Sequence, residues 1–220
     1  MELARLTPME QLRAGRLTRR ILQLFVGLTA FGVAMALLIR SGLGMLPWDV
    51  FHYGVALHVP FSIGTVLIMV SLLVLLAWVP LRQMPGLGTI ANAVWIGLTL
   101  DVVLPLVPEP SHLAWRITYL VLGILGNAHA TALYIGAQLG PGPRDGLMTG
   151  LSQSTGASLR LVRTAIEGVV VLCGWLLGGV VGIGTILYAV GVGPLVQWML
   201  PSCIVELPAR PEAAPSGDKG

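Results

Sequence analysis

The sequence repeats itself at an interval of 96 residues. When residues 20–105 are placed on residues 116–201 without a gap, about 30% of the positions are identical. The motif Leu-Gly-x-x-Pro-x-Asp occurs at Leu43–Asp49 and again at Leu139–Asp145. Biased composition alone does not align Gly, Pro and Asp in the same order. We therefore interpret the chain as two copies of one unit, which constrains its fold more than any other feature.

The composition indicates an integral membrane protein. Of the 220 residues, 55% are hydrophobic and 10% are charged, whereas soluble domains carry about 25% charged residues. A helix that spans a bilayer needs about 17–25 mainly apolar residues. Six stretches approach this length: Ile21–Ile39, Ser62–Val79, Gly88–Leu106, His112–Ile135, Ser158–Leu177 and Gly184–Leu200.

Two shorter segments follow the duplicated motif. Trp48–His58 and Arg144–Ser154 are too short to span, since about eleven helical residues cover about 16 Å, half of the hydrocarbon core. We interpret them as re-entrant or interfacial half-helices. Each copy then has three spans, and an odd number inverts the second copy. The predicted fold is an all-α membrane protein with six transmembrane helices plus two half-helices in two inverted-topology repeats.

The distribution of basic residues predicts cytoplasmic termini. With the N-terminus inside, eleven Lys and Arg residues are cytoplasmic and two, Arg40 and Arg116, face out, as the positive-inside rule requires. The predicted organisation is a basic cytoplasmic segment (1–19), the first transmembrane repeat (20–105), an extracytoplasmic connection (106–115), the inverted second repeat (116–201) and a disordered cytoplasmic tail (202–220).

Glycine and proline residues shape the backbone around the half-helices and at the start of each third span. Such irregular backbone is tolerated inside a membrane where it is buried in protein or lines a cavity. The residues concerned are Gly44, Pro47, Gly140, Gly142 and Pro143 at the half-helices, and Gly86, Gly88, Gly182 and Gly184 at the Gly-x-Gly-Thr turns. These turns do not match a phosphate-binding loop, because no strand precedes them and no Lys follows.

Asp49 and Asp145 end the duplicated motif, and each comes at the start of a half-helix. One interpretation is structural, because a first-turn carboxylate accepts backbone N–H bonds and suits the helix dipole. The other is functional, because an intramembrane acid is costly and usually serves as a proton or cation site or a gate. The two interpretations are compatible, since a capping Asp can still titrate.

Three charged residues of the second copy are candidates for binding a substrate or a coupling ion. Arg144 stands where the first copy has Trp48, and is either a cytoplasmic loop charge or an anion-binding arginine at a cavity mouth. Arg163 and Glu167 lie four residues apart, so they share a helix face. They form either an intramembrane ion pair or a coupling carboxylate with its counter-ion.

Three uncharged or titratable polar residues complete the candidate set. Asn127 and His129 lie inside the fourth apolar stretch and either form interhelical hydrogen bonds or, for His129, relay protons. His52 comes three positions after Asp49 and shares its helix face.

The sequence carries no pattern of a catalytic or cofactor site. It has no His-Glu-x-x-His motif, no zinc-ligand spacing and no nucleophile–base arrangement with supporting spacing. We therefore assign no catalytic residue, no metal and no cofactor, and we do not expect an enzyme. Nucleic acid is not an expected partner, because the net charge of +3 comes without a basic patch interleaved with aromatic residues.

The motifs resemble those of the YczE-like family of bacterial membrane proteins, which is related to the YitT group. The resemblance lies in "GLGMLPWDVFHYG", "PGLGTI", "LGPGPRDGLMTGL" and "GGVVGIGTI", in that order, and covers most of residues 20–200. It implies a multi-pass protein of the bacterial plasma (inner) membrane, with links in some bacteria to the production of secondary metabolites. It implies no catalytic or binding residues.

We expect a transporter-like protein that moves a small molecule through a central site between the two broken-helix repeats, and export of a metabolite is one form this activity can take. The alternatives are a non-transporting membrane scaffold or regulator of a biosynthetic process, and a channel. The expected partners are the lipid bilayer and an unidentified small-molecule substrate. Small residues near Gly174 allow close helix packing within a subunit or in a homo-oligomer.

Overall fold

Helices account for all regular structure in residues 7–208, the part of the chain that the computed structural model describes. There is no strand in this range. The elements are α1 (Pro8–Arg13), α2 (Leu17–Ser41), α3 (Pro47–Ala56), α4 (Ile63–Trp78), α5 (Leu87–Val103), a 3₁₀ turn (Leu104–Leu106), α6 (Leu113–Gly136), α7 (Pro143–Thr155), α8 (Leu159–Leu176) and α9 (Ile183–Cys203).

The helices of the second half begin 96 residues after those of the first. Helices α2 to α5 start at residues 17, 47, 63 and 87, and α6 to α9 start at residues 113, 143, 159 and 183. Local chemistry sets these starts. Proline opens both α3 and α7, where its missing N–H costs nothing. Ser62 and Ser158 cap α4 and α8 through hydroxyl groups that accept backbone N–H bonds.

Four helices are long and apolar enough to cross a membrane: α2, α5 together with the 3₁₀ turn, α6 and α9. The sequence predicts six such spans. Helix α4 has only 16 residues, and α8 carries Arg160, Arg163 and Glu167 within its 18 residues. The two predicted half-helices are present as α3 and α7, with 10 and 13 residues.

Helices α2 and α6 pack against each other in antiparallel orientation at the centre of the molecule. Glycine allows the close approach at both ends. A Cβ atom on Gly27 would lie 2.9 Å from the backbone nitrogen of Tyr134, and one on Gly123 would lie 2.5 Å from Cγ of Leu38. Gly123 and Tyr134 are the repeat counterparts of Gly27 and Leu38. The contact is therefore reciprocal between the two repeats.

Two buried or half-buried arginines bind the ends of these central helices. Arg20 donates to the carbonyl oxygens of Ala137 (2.8 Å) and Gln138 (2.6 Å), which follow α6. Its counterpart Arg116 donates to Ser41 (2.7 Å) and Gly42 (2.8 Å) at the end of α2. A helix C-terminus has unpaired carbonyl groups and partial negative charge. Each repeat therefore supplies the cation that caps the first long helix of the other.

The Gly-x-Gly-Thr turns fasten the loops that precede the half-helices. The backbone nitrogen of Gly88 donates to Leu139 (2.7 Å), and that of Gly184 donates to Leu43 (2.8 Å). Thr89 and Thr185 accept from the first glycine of their own turn. The sequence predicts these segments as turns that open a helix, and the structure adds that each turn holds the loop of the opposite repeat.

The last two helices of each repeat pack differently in the two halves. In the first repeat, α4 contacts α5 so closely that a Cβ on Gly64 would overlap the carbonyl oxygen of Gly97. Asp101 on α5 also accepts from the backbone nitrogen of Gly64 at 2.8 Å. In the second repeat, the counterpart of Gly64 is Arg160, and a Cβ on Gly193 would meet no atom within 4 Å. Helix α8 packs on α3 and α7 and stands apart from α9.

The segment predicted to be disordered from residue 202 is packed at its beginning. Cys203 and Val205 are buried, and the Val205 nitrogen donates to Gly136 at 3.0 Å. Most of the predicted tail, residues 209–220, lies outside the described residues, as do residues 1–6 of the N-terminal segment.

Candidate functional site

A cavity of about 270 Å³ lies where the two half-helices begin. Pro47 and Pro143, the first residues of α3 and α7, both line it. So do both members of five further repeat pairs: Leu46 with Gly142, Trp48 with Arg144, Leu67 with Arg163, Asn92 with Tyr188, and Ile96 with Val192. The cavity is thus shared between the repeats, at the place that the duplicated motif predicts for a central site.

Contacts with the opposite repeat hold both half-helices in place. The indole nitrogen of Trp78, at the end of α4, donates to the carbonyl oxygen of Pro143 at 2.9 Å. Helix α3 lies so close to α8 that a Cβ on Gly174 would be 2.4 Å from the backbone nitrogen of Phe51, which is too close for atoms that are not bonded. Gly174, whose small size allows close packing in general, is therefore used for a contact within the chain.

The predicted glycines give the loops before the half-helices their shape. Gly44 and Gly140 have φ angles of +127° and +117°, which residues with a side chain rarely adopt. A Cβ on Gly44 would also lie 2.7 Å from the backbone nitrogen of Thr185. Gly142, the residue before α7, lines the cavity itself.

Arg144 is one of two arginines that line the cavity. Its guanidinium carbon lies 5.0 Å from the centroid of the Trp48 ring, a cation–π arrangement between two positions that correspond in the repeats. Within residues 7–208 it has no ion-pair or hydrogen-bond partner. The indole N–H of Trp48, a residue only 8% exposed, also lacks an acceptor in this range.

The duplicated aspartates occupy different environments. Asp145 faces the cavity, and its Oδ2 accepts from the Tyr134 hydroxyl at 2.9 Å. Asp49 is fully buried, and neither of its carboxylate oxygens has a hydrogen-bond partner within the described chain. Neither aspartate accepts a backbone N–H bond there, so the contacts give no support to a capping role.

Asp49 and His52 form a buried pair behind the cavity wall. The Nδ1 of His52 and the Oδ1 of Asp49 are 3.4 Å apart, and both side chains are inaccessible to solvent. The His52 ring lies 6.4 Å from the Trp48 ring, measured between centroids. Burial without hydrogen bonds is costly for either group. A single proton shared between them would remove much of that cost.

Arg163 and Glu167 form the ion pair that their spacing predicts. The Nε of Arg163 lies 2.9 Å from Oε1 of Glu167, and both residues line the cavity from α8. Their first-repeat counterparts are Leu67 and Ser71, so this polar wall belongs to the second repeat alone.

Asn127 reaches the site through a tyrosine, whereas His129 does not reach it. Asn127 is fully buried, and its Oδ1 accepts from the Tyr188 hydroxyl at 2.7 Å. His129 lies exposed on α6 and does not line the cavity. Tyr188, Tyr134 and Asn92 are absent from the residues predicted to form the site. Asn92 and Tyr188 occupy corresponding positions in the two repeats, and both are polar residues in apolar helices. This correspondence is the sequence signal from which these two residues could have been predicted.

The described residues contain no group of three or more His, Cys, Asp or Glu side chains placed to hold a metal ion. The charged groups of the cavity are the guanidinium of Arg144, the carboxylate of Asp145 and the Arg163–Glu167 ion pair, and its neutral polar side chains include Asn92, Thr131, Tyr134, Tyr188 and Gln197. At both half-helix N-termini, unpaired N–H groups and the helix dipole add positive potential. This arrangement suits a small polar molecule with an anionic group.

Comparison with known proteins agrees with the membrane assignment. The model of a family of unknown function (DUF6198) matches residues 18–201. An "Uncharacterized protein" of Haemophilus influenzae is 41% identical over 188 residues, covering 86% of each chain. The "Uncharacterized membrane protein YczE" of Bacillus subtilis is 33% identical over 183 residues, covering 82% of this chain and 85% of that protein. No solved structure matches.

These matches confirm the resemblance that the Gly/Pro/Asp motifs indicate. Together with the long apolar helices, they identify a membrane protein. The chain belongs to the YczE-like family of membrane proteins, DUF6198.

Proposed function

We propose that the protein is a transporter of a small molecule, which binds in the cavity between α3 and α7. The observation that carries the proposal is the unpaired guanidinium of Arg144 in a cavity to which both repeats contribute. Secondary transporters with repeated broken helices bind their substrates at such a place, near the membrane midplane, with half-helix N-termini facing anionic groups.

The reciprocal contacts support an inverted-topology arrangement of two repeats with three spans each. A two-fold relation between antiparallel helices has its axis perpendicular to them. If α2 and α6 both cross the bilayer, that axis lies in the membrane plane. Helices α4 and α8 count as spans in this proposal, since 16 and 18 residues cover about 24 and 27 Å. Arg163 and Glu167 both line the cavity.

The different packing of the two repeats favours a transporter over a channel. Helices α4 and α5 are in close contact through Gly64 and Gly97, whereas α8 and α9 are separated by the cavity. A transporter closes one side of its site at a time, and related repeats in two conformations meet that requirement. In the proposed orientation both termini are cytoplasmic.

The pair of Asp49 and His52 is the proposed coupling site. It is buried and separated from the cavity by Trp48, whose ring contacts Arg144. A change in the charge of the pair alters the electrostatic potential at Arg144, because screening is weak in a buried site. Proton binding at the pair and anion binding at Arg144 would then be linked.

The proposal is tested by an untargeted comparison of metabolites inside and outside cells. The strains lack the gene or express the wild type, Arg144→Gln or Arg160→Gln, at matched protein levels in the membrane. Arg160 is the control, because it is an exposed arginine of α8 that does not line the cavity. We expect one compound class to accumulate inside the deletion strain and the Arg144→Gln strain only.

Two outcomes would overturn the proposal. If metabolite distributions are the same in every strain, the protein does not transport, and a scaffold or regulator of a biosynthetic process becomes the better explanation. If Arg144→Gln behaves like the wild type while the deletion does not, the cavity is not the transport site. A channel would pass the compound down its gradient without regard to pH, whereas a proton-coupled transporter accumulates it against the gradient when a pH gradient is imposed.

A further inference from the structure

A second, larger cavity opens between α8 and α9. It is a groove of about 600 Å³ with mainly apolar walls, and Pro47 and Glu167 line both this groove and the central cavity. Five of its residues are large hydrophobics exposed on the outer surface: Leu172, Trp175, Val181, Ile186 and Val190. The groove therefore leads from the polar site to the surface that a bilayer would cover.

Specific sequence differences between the repeats account for the groove. The first repeat closes the equivalent space with the contact of Gly64 on Gly97 and the hydrogen bonds of Asp101. Arg160 and Gln197 replace Gly64 and Asp101 in the second repeat. An arginine side chain cannot enter a contact that has no room for a Cβ atom, so α8 and α9 cannot approach in the same way.

We propose that the molecule carried is an amphipathic anion with a single apolar chain, and that it enters the site sideways through the groove. This inference rests on the proposed function and names the substrate class. The anionic end binds Arg144 and the half-helix N-termini in the central cavity, and the apolar chain lies in the groove between α8 and α9. The shared residues Pro47 and Glu167 mark the boundary between the two parts.

Charge and polarity support this occupant. Within residues 7–208 Arg144 has no ion pair within 4 Å and no hydrogen-bond partner, whereas Arg163 is paired with Glu167 and the Asp145 carboxylate accepts from the Tyr134 hydroxyl. The guanidinium of Arg144 and the indole N–H of Trp48, which meet at the cavity wall, are therefore donors without an acceptor, and an anionic group can accept from both. The groove offers apolar walls from Val171, Leu172 and Val190, where a hydrocarbon chain can pack without leaving an apolar environment.

The test measures binding of radiolabelled dodecanoate and butyrate to the full chain in phosphatidylcholine nanodiscs, by scintillation proximity. Dodecylamine competes as a probe with the same chain and the opposite charge. Gly168→Leu fills the groove, because Gly168 lines it and a Cβ there meets no atom within 4 Å. Gly191→Leu is the matched control, since a Cβ on Gly191 is equally unobstructed and this residue lines neither cavity.

We expect the wild type to bind dodecanoate in preference to butyrate and dodecylamine. Gly168→Leu should lower the affinity for dodecanoate about tenfold, because each methylene excluded from an apolar site loses about fourfold in affinity. It should leave butyrate unaffected. Arg144→Gln should lower the affinity for both anions about 10- to 100-fold, the worth of a hydrogen bond to a charged group. Gly191→Leu should behave as the wild type.

Distinct results would overturn the inference. If Gly168→Leu and Gly191→Leu bind dodecanoate equally well, the groove does not hold the chain, although transport through the central cavity can still stand. If added phosphatidylglycerol displaces dodecanoate, the occupant is a bilayer lipid. If Gly168→Leu abolishes a dimer that Gly191→Leu retains, a second copy fills the groove. If Arg144→Gln leaves both anions bound, the central site itself is wrong, and the proposed function fails with it.

Discussion

Replacement of Arg20 by glutamine should destabilise the protein far more than loss of a neighbouring charge. Arg20 is fully buried and donates to the last carbonyl groups around the end of α6, at 2.8 Å to Ala137 and 2.6 Å to Gln138. A hydrogen bond from a charged donor contributes about 1.5–3 kcal/mol. Counting only these two bonds at the lower limit, Arg20→Gln should cost about 3 kcal/mol.

The assay is thermal unfolding of the purified protein in detergent. For a chain of this length, about 3 kcal/mol corresponds to a fall in Tm of about 6–12 °C. Arg116→Gln should lower Tm by about half as much, because the bond of Arg116 to Gly42 is exposed and water can replace it. Arg20→Lys should recover only part of the loss, because an ammonium group cannot match the planar fork of the guanidinium.

The control is Arg19→Gln, which removes one positive charge from the same end of α2. Arg19 is exposed, so its loss should cost less than about 0.5 kcal/mol. An equal fall in Tm for Arg19→Gln and Arg20→Gln would refute the reasoning, because it would show that charge near the membrane surface, and not the carbonyl contacts, sets the stability. If Arg20→Lys has the same Tm as the wild type, the planar geometry of the guanidinium is not required for stability.

Three further predictions concern the loops, the site and the helix ends. Gly44→Ala should lower the free energy of unfolding by about 2 kcal/mol or more, because of the φ angle of +127° and the contact with Thr185. Gly126→Ala is the control and should not lower Tm, because a Cβ there would make only ordinary contacts. A double-mutant cycle of Tyr134→Phe with Asp145→Asn should give a coupling energy of about 1 kcal/mol in the same unfolding assay, and independent effects would show that their 2.9 Å bond contributes nothing. Asp101→Asn should lower Tm by about 2–6 °C, since it weakens the carboxylate contacts with Ser62 and Gly64, and an unchanged Tm would contradict a role in closing α4 on α5.

Much of the helical layout follows from the sequence, because local signals define it. Proline, serine and glycine residues set the starts and ends of the helices in both repeats, and the 96-residue interval carries each boundary from one copy to the other. The two half-helices were predicted from their length, and the structure places them within two residues of the expected ends at α3 and within one at α7.

The contacts between repeats could not be predicted in the same way. Arg20 and Arg116 read as charges that orient the chain in the membrane, yet their partners lie at the far end of a helix in the other copy. His129 and Asn127 are two residues apart in one apolar helix, and only the packing of α6 against α2 and α9 decides which is buried. Helical periodicity separates faces but does not say which face meets a partner.

The separation of α8 from α9 depends on differences between the copies rather than on matches. An alignment of the repeats draws attention to identical residues such as Asp49 and Asp145. The residues that distinguish the two halves are the unmatched ones, Gly64 with Arg160 and Asp101 with Gln197. These unmatched residues lie where α4 and α5 are in contact and α8 and α9 are apart.

The exchange of arginines between the repeats also orders the assembly of the protein. Arg20 is synthesised before its acceptors at Ala137 and Gln138, which emerge more than one hundred residues later. Until then the Arg20 guanidinium must remain hydrated. The carbonyl groups at the end of α2 likewise have no arginine donor until Arg116 has been synthesised. The first half therefore cannot reach its final packing during its own synthesis. The packing of α2 against α6 is completed only after α6 has been synthesised, because Arg116 lies in α6 and the acceptors of Arg20 follow it.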